Sequence, residues 1–282
     1  MRKVRWDCKF GGTMRIRNLL CVSAVGAGLA AVAWADWNPG DPYKMERPML
    51  PDEVTGRDVA ASYVRNPQEP QQPFWNKIVA DDWRCSETGP ITDIHIWGSW
   101  NYDVTDPNAE FYLSIYTDNR PPNEYSRPGQ LLKTYVFKPG EYTARIYNDA
   151  VQEGFLDPNT SVLIGADTQI WQYNFRISDP IIQEKGNVYW LAVQADVNPN
   201  SDALFGWKTA LKPIYEDVAV YGDNRGPGAP PPAWLPVYEG AAGEPLYYDM
   251  AFIITTPEPQ TYGLIAGLGL GLFGLARRFL RK

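Results

Sequence analysis

Alternation with a period of two dominates the middle of this chain. In Pro90–Trp97, Thr92, Ile94 and Ile96 fall on one face, and Asp93, His95 and Trp97 on the other. In Glu110–Thr117, Phe111, Leu113 and Ile115 oppose Tyr112, Ser114 and Tyr116. In Thr168–Ile177, Trp171, Tyr173, Phe175 and Ile177 oppose Gln172, Asn174 and Arg176. Side chains that change sides at every residue mark a strand with one face on a core. Leu131–Lys138, Tyr142–Asn148, Val188–Ala195, Ala203–Thr209, Asp217–Tyr221 and Tyr247–Thr255 read the same way. Between these runs stand Asp106-Pro107-Asn108, Arg127-Pro128-Gly129, Lys138-Pro139-Gly140 and Asp157-Pro158-Asn159, whose residues favour turn dihedrals. No segment of the middle shows an amphipathic helix. The pattern predicts an all-β fold, an antiparallel β-sandwich of jelly-roll type over residues 74–256. Residues 36–73, rich in Pro, Asp and Gln, read as an irregular arm, and Gly226–Pro236 as a proline-rich loop before the last strand.

The two ends follow different rules. Arg15 and Arg17 precede an apolar run from Leu19 to Trp34 that closes on Ala33-Trp34-Ala35. That pattern predicts a signal helix in 1–35, cut by signal peptidase before Asp36, with Met14 as the expected start. Leu20 stands before Cys21 where lipidation needs a small residue, so lipidation is rejected. At the far end, Pro257-Glu258-Pro259 leads into 15 uncharged residues, Tyr262 to Ala276, and then Arg277, Arg278, Arg281 and Lys282. As a helix the uncharged run rises roughly 22 Å, short of a hydrocarbon core of about 30 Å. Phe279 and Leu280 extend it if Arg277 and Arg278 snorkel. A transmembrane sorting helix with its basic end in the cytoplasm is predicted for 257–282.

Pro257-Glu258-Pro259, the glycine-rich apolar run and the basic end together resemble a PEP-CTERM sorting signal. The resemblance implies export in a Gram-negative-type bacterium that makes extracellular polysaccharide. It also implies a cytoplasmic-membrane precursor and processing by a membrane-embedded exosortase. The final location would be the cell envelope, the outer surface or the extracellular matrix. Gln260 and the Phe279-Leu280 interruption depart from the common pattern.

Removing the ends changes the charge. Of the 26 Lys and Arg, six lie in 1–35 and four in 257–282, with one acid in each segment. Residues 36–256 therefore hold 16 basic and 31 acidic residues, a formal charge of −15. That excludes nucleic acid, whose binding needs a positive face. Cys8 and Cys21 leave with the signal, so Cys85 has no disulfide partner.

A second resemblance covers roughly residues 74 to 255. Ala80-Asp81-Asp82-Trp83, Gly89 to Trp100, Ser126-Arg127-Pro128-Gly129, Trp171-Gln172-Tyr173-Asn174-Phe175 and Phe205-Gly206-Trp207-Lys208-Thr209 are similar to an uncharacterised extracellular domain of bacterial surface proteins. It implies fold and location and brings no activity. Glu216-Asp217-Val218-Ala219 stands where two aspartates would be expected before Ala-Val.

Candidate chemistry is sparse. His95 is the chain's one histidine, which excludes a zinc site built from several histidines. Asp93 shares its strand face, but a half-buried polar face is the ordinary reading. Asp81 and Asp82, as strand neighbours, point to opposite faces and cannot share a site without a bulge. Asp196, Asn198, Asn200 and Asp202 alternate oxygen ligands as calcium loops do, although a solvated turn uses the same residues. With 11 Trp and 17 Tyr in the chain, Trp97, Trp100, Trp171, Trp190 and Trp207 are candidates for a sugar-stacking platform, against the ordinary role of core.

The expected function is therefore a non-catalytic envelope or matrix protein that binds polysaccharide, with no cofactor unless calcium. The alternative is a secreted glycan hydrolase. An exposed row of aromatics favours the first, and a cleft with two converging carboxylates, one titrating high, the second.

Overall fold

The computed structural model describes residues 36–122, 124–240 and 244–255. The predicted signal helix, sorting motif and basic end lie outside these residues. Among the described residues no helix is long and apolar enough to cross a membrane.

Among the described residues, nineteen strands follow in chain order. They are β1 (Arg57–Ala60), β2 (Ser62–Val64), β3 (Trp75–Arg84), β4 (Gly89–Pro90), β5 (Asp93–Trp100), β6 (Glu110–Asn119), β7 (Arg127–Phe137), β8 (Tyr142–Asn148), β9 (Glu153–Asp157) and β10 (Val162–Asp167). Then come β11 (Ile170–Arg176), β12 (Ile182–Gln183), β13 (Val188–Val197), β14 (Phe205–Lys208), β15 (Val220–Asp223), β16 (Leu235–Pro236), β17 (Tyr238–Glu239), β18 (Leu246–Tyr247) and β19 (Phe252–Thr255). One sheet runs β10-β9-β1-β14-β5-β11-β8 with β19 also on β5, and the other runs β16-β15-β3-β2-β13-β6-β7. Their facing sides share one core in which Phe111 of β6 meets Phe205 of β14 edge-on, and Trp83 of β3 meets Phe252 of β19.

The sandwich is correct in outline, but its sheets are mixed. β1 pairs parallel with β9, and β2 parallel with β13. Both strands come from the stretch expected to be an irregular arm. Arg57–Ala60 and Ser62–Val64 slot into the middle of the two sheets, and their tertiary partners override a local composition that suggests no strand. Arg127-Pro128-Gly129 is not a turn either. It opens β7, where Pro128 partners Asp118 across an irregular stretch of the ladder.

Two segments cover the outer faces. Trp37 lies edge-on to Trp97 at 5.9 Å, and its carbonyl accepts a hydrogen bond from Gln172 Nε2 at 2.7 Å. Asp36 Oδ1 accepts one from Asn174 Nδ2 at 2.8 Å. On the other sheet, Trp234 from the proline-rich loop joins Ile78, Tyr116, Trp190 and Val220 in a second small core. Gly228 of this loop has φ +67°, and a side chain there would strike Tyr112. Strands buried on both faces explain why their polar-looking sides carry Trp, His and Gln rather than charge alone.

Candidate functional site

Five neighbouring strands of the first sheet bring Asp167, Glu153, Asp58, Lys208 and Ser99 together on its outer side. Asp167 pairs with Glu153, Asp58 with Lys208, and Ser99 with Gly206. The flanking Val59 and Trp207 belong to the inter-sheet core, so Asp58 and Lys208 point away from it. All five residues are buried. Lys208 Nζ lies 2.5 Å from Glu153 Oε2 and 3.7 Å from Asp58 Oδ2. The closer approach is off the line a hydrogen bond requires. Nζ, Ser99 Oγ and all six carboxylate oxygens of Asp58, Glu153 and Asp167 are left without a hydrogen bond. Buried polar atoms are nearly always bonded, so this concentration is anomalous.

Electrostatics follow from the enclosure. Burial, then the charge of Asp58, pushes the Glu153 carboxyl up to about 7. Burial with the charges of Asp58 and Glu153 takes Asp167 up to about 9. Asp58 also rises, because its desolvation outweighs the attraction of Lys208. One oxygen from each of the three carboxyls lies within 4.8 Å of the others, a spacing that suits a divalent cation. Lys208 supplies a positive charge at the same spot.

A second group joins the sheets through backbone contacts. Asp81 Oδ2 accepts the Met250 N–H at 2.6 Å and Oδ1 the Asp82 N–H at 2.9 Å. Asp249 Oδ2 accepts the Tyr215 N–H at 2.6 Å, and burial lifts Asp249 to about 7. Burial, with the charges of neighbouring aspartates, also holds Asp81 and Asp82 well above the usual carboxylate range. Asp82 shares its face with Ile78 and Ala80 of the second core, opposite Asp81, as a regular strand demands.

The aromatic platform is not assembled. Trp97, Trp100, Trp190 and Trp207 are buried, and only Trp171 keeps part of its surface open. Trp207 Nε1 donates to the Ala251 carbonyl at 2.8 Å, and Trp100 Nε1 to Tyr173 Oη at 2.8 Å, so even their polar atoms are committed inward. The core needed large side chains, and these strands supplied them. Asp196, near the end of β13, is held by Arg65 at 2.6 Å, and in the turn that follows Asn198 Oδ1 accepts the Asn200 N–H at 3.0 Å. Asn198, Asn200 and Asp202 are exposed. Cys85 is buried and unpaired. An open depression of about 560 Å³ lies beside Arg84, Asp118, Arg120 and Glu184.

Position-specific reasoning missed the Lys208 cluster, because its members lie on five strands scattered from Asp58 to Lys208. A lysine at the end of the aromatic strand Phe205-Gly206-Trp207-Lys208 was the available signal.

A family described as a domain of unknown function, DUF7901, matches residues 43–255. The chain belongs to this family. The DUF7901 match begins before the predicted sandwich boundary and takes in β1 and β2, in agreement with their central positions. A PEP-CTERM protein-sorting motif matches residues 255–282, directly behind the DUF7901 domain. The motif implies an exported, membrane-processed envelope or extracellular protein and an exosortase-type processing enzyme. No curated protein and no solved structure matches the chain.

Proposed function

We propose that the protein is a non-catalytic component of the cell envelope or extracellular matrix, a rigid DUF7901 body delivered by its sorting motif and partnered by polysaccharide. One observation carries the reading: the carboxyls pushed to high values are enclosed rather than set in a cleft. Asp58, Glu153 and Asp167 are buried side by side with Lys208, and Asp81, Asp82 and Asp249 are buried around backbone amides. Glycoside hydrolysis needs its two carboxyls open to the sugar. With four of the five candidate tryptophans buried, the reading is supported instead by the open depression beside Arg84, Arg120, Asp118 and Glu184, whose polar groups suit sugar hydroxyls and carboxylates. Each arginine is already paired, Arg84 with Glu216 and Arg120 with Asp217, so recognition there would be exchange of partners.

The test is a glycan array and polysaccharide pull-down with the exported protein, with and without calcium, alongside a glycan hydrolysis panel. Binding without turnover, weakened by Arg120→Ala, is the expected result. Robust turnover abolished by Asp249→Asn would establish the hydrolase instead.

A further inference from the structure

Lys208 and Asp58 are direct partners in the antiparallel β14–β1 ladder, so their side chains rise from neighbouring strands on one face. Both have no exposure to solvent. Glu153 reaches the same ammonium from β9, on the far side of β1. The space is closed tightly. A Cβ on Gly56 would stand 2.6 Å from Lys208 Nζ, and one on Gly206 would stand 2.6 Å from the Phe155 ring and 2.9 Å from Asp58 Cβ. The result is an amine and two carboxyls enclosed side by side, with Nζ 2.5 Å from Glu153 Oε2 and 3.7 Å from Asp58 Oδ2.

Left as ions, these groups are expensive. Removing ammonium and carboxylate from water is repaid only by good hydrogen-bond geometry, and here Nζ and the carboxylate oxygens have none. Converting one amine and one carboxyl into a neutral amide removes that cost at its source. We propose that Lys208 Nζ and Asp58 Cγ are joined by an intramolecular amide bond that forms in the folded protein, with Glu153 as the proton carrier.

The step balances without any co-reactant. Glu153 as carboxylate takes one proton from the Lys208 ammonium. The neutral amine attacks Cγ of the protonated Asp58 carboxyl, forming the C–N bond and a tetrahedral centre. Glu153 relays a proton from nitrogen to the departing hydroxyl, the C–O bond breaks, and one water leaves. Glu153 ends protonated, 2.5 Å from the nitrogen it served, and holds a proton toward the new carbonyl. Fixed near-attack geometry supplies the driving advantage that free lysine and aspartate lack. Nζ lies 3.7 Å from Asp58 Oδ2, so the amine and this carboxyl are immediate neighbours, and a small side-chain shift brings Nζ onto Cγ.

The link would do for this chain what a disulfide does elsewhere. Cys85 is the one cysteine outside the expected signal segment, so an exported body of this size has no sulfur staple. A bond from β1 to β14 closes a loop of about 150 residues, which restrains the unfolded chain as a long disulfide loop does.

The experiment uses the full chain expressed with its own export signal, purified folded, then denatured, digested and analysed by mass spectrometry. The expected product is a branched peptide joining the Asp58 and Lys208 segments, lighter by one water than the two together. It should be absent from Asp58→Ala and Lys208→Arg. Glu153→Gln keeps both reacting groups and the local shape, and should leave most molecules unlinked. Wild-type protein yielding only the two linear peptides, each at its unmodified mass, overturns the bond outright, whether or not any variant folds. A branched peptide formed equally well in Glu153→Gln overturns the role given to Glu153.

Discussion

His95 and Asn174 face each other across the β5–β11 ladder, with ring Nδ1 2.7 Å from the amide Oδ1. Because Asn174 Nδ2 donates to Asp36 and Thr143, its oxygen faces the ring, and Nδ1 carries the hydrogen. Burial lowers the histidine's pKa, while Asn174, Asp93, Asp36 and Asp41 pull the other way. The ring is neutral in the fold. Unfolded chains take up this proton near pH 6.5 and the native state does so lower, so His95 removes stability as pH falls below about 6.5. An NMR titration of this sole histidine should show a midpoint below the free value. A midpoint at or above about 6.5 would contradict the enclosure.

The same ring tests the cover. Trp37→Ala should cost about 3 kcal/mol, as large aromatic truncations in cores do. It should also return the His95 midpoint toward its ordinary value, since Trp37 and its neighbours exclude water from that face. Chemical denaturation and the NMR titration read the two effects separately.

Carboxyls give the opposite slope. Glu153 and Asp249 near 7 and Asp167 near 9 hold protons in the fold that the unfolded chain releases around pH 4. Stability they favour at low pH is lost as pH rises from about 4 through those values. Asp52, Glu216 and Glu239, all lowered, work the other way and lose their contribution as pH falls below about 4. Several raised groups outweigh the single histidine, so the melting temperature should peak at mildly acidic pH and fall toward pH 8. Asp249→Asn should flatten that fall.

Gly98→Ala is expected to be among the most damaging small changes. The new Cβ would stand 2.5 Å from the Gly206 carbonyl and 2.5 Å from Phe205 Cζ, between two strands that cannot separate. A loss of about 3 kcal/mol is expected by urea unfolding. A neutral effect would mean that β5 and β14 lie further apart than described.

Arg65 bears on calcium. It occupies Asp196, the first oxygen ligand of the alternating loop, through an ion pair whose arginine is largely exposed. Arg65→Ala should change stability by less than about 1 kcal/mol. Titration calorimetry should nonetheless find calcium binding stronger in this variant than in the wild type. Equal affinities would remove the loop from consideration.

Period-two alternation made most of the sandwich legible: Tyr142–Asn148 is β8 residue for residue, and the runs at Glu110 and Val188 lie within β6 and β13. Alternation could not find strands whose pattern is interrupted. Trp75–Arg84 carries Asp81 and Asp82 in its middle because both faces are buried and backbone amides of other segments bind those acids. Arg57–Ala60 is too short to show a period at all. The site failed for a related reason. Asp58, Glu153, Asp167 and Lys208 become neighbours only through sheet order, which places β1 between β9 and β14. No local spacing encodes that adjacency. The tryptophans were visible as a set, but Trp100 and Trp207 turn into the inter-sheet core, and Trp97 and Trp190 are closed over by the covers that carry Trp37 and Trp234.

Thr255, the last residue of β19, is buried beside Asp93 in the middle of the first sheet, and Pro257 follows two residues later. Two residues of chain reach about 7 Å at most. Whatever grips the sorting motif therefore has almost no tether to work with. An enzyme reading Pro257-Glu258-Pro259 must come up against the surface of the domain itself. Any pull along the tail loads β19 directly and must shear it from β5, so the membrane-bound stage would test the mechanical strength of the sheet's centre before release.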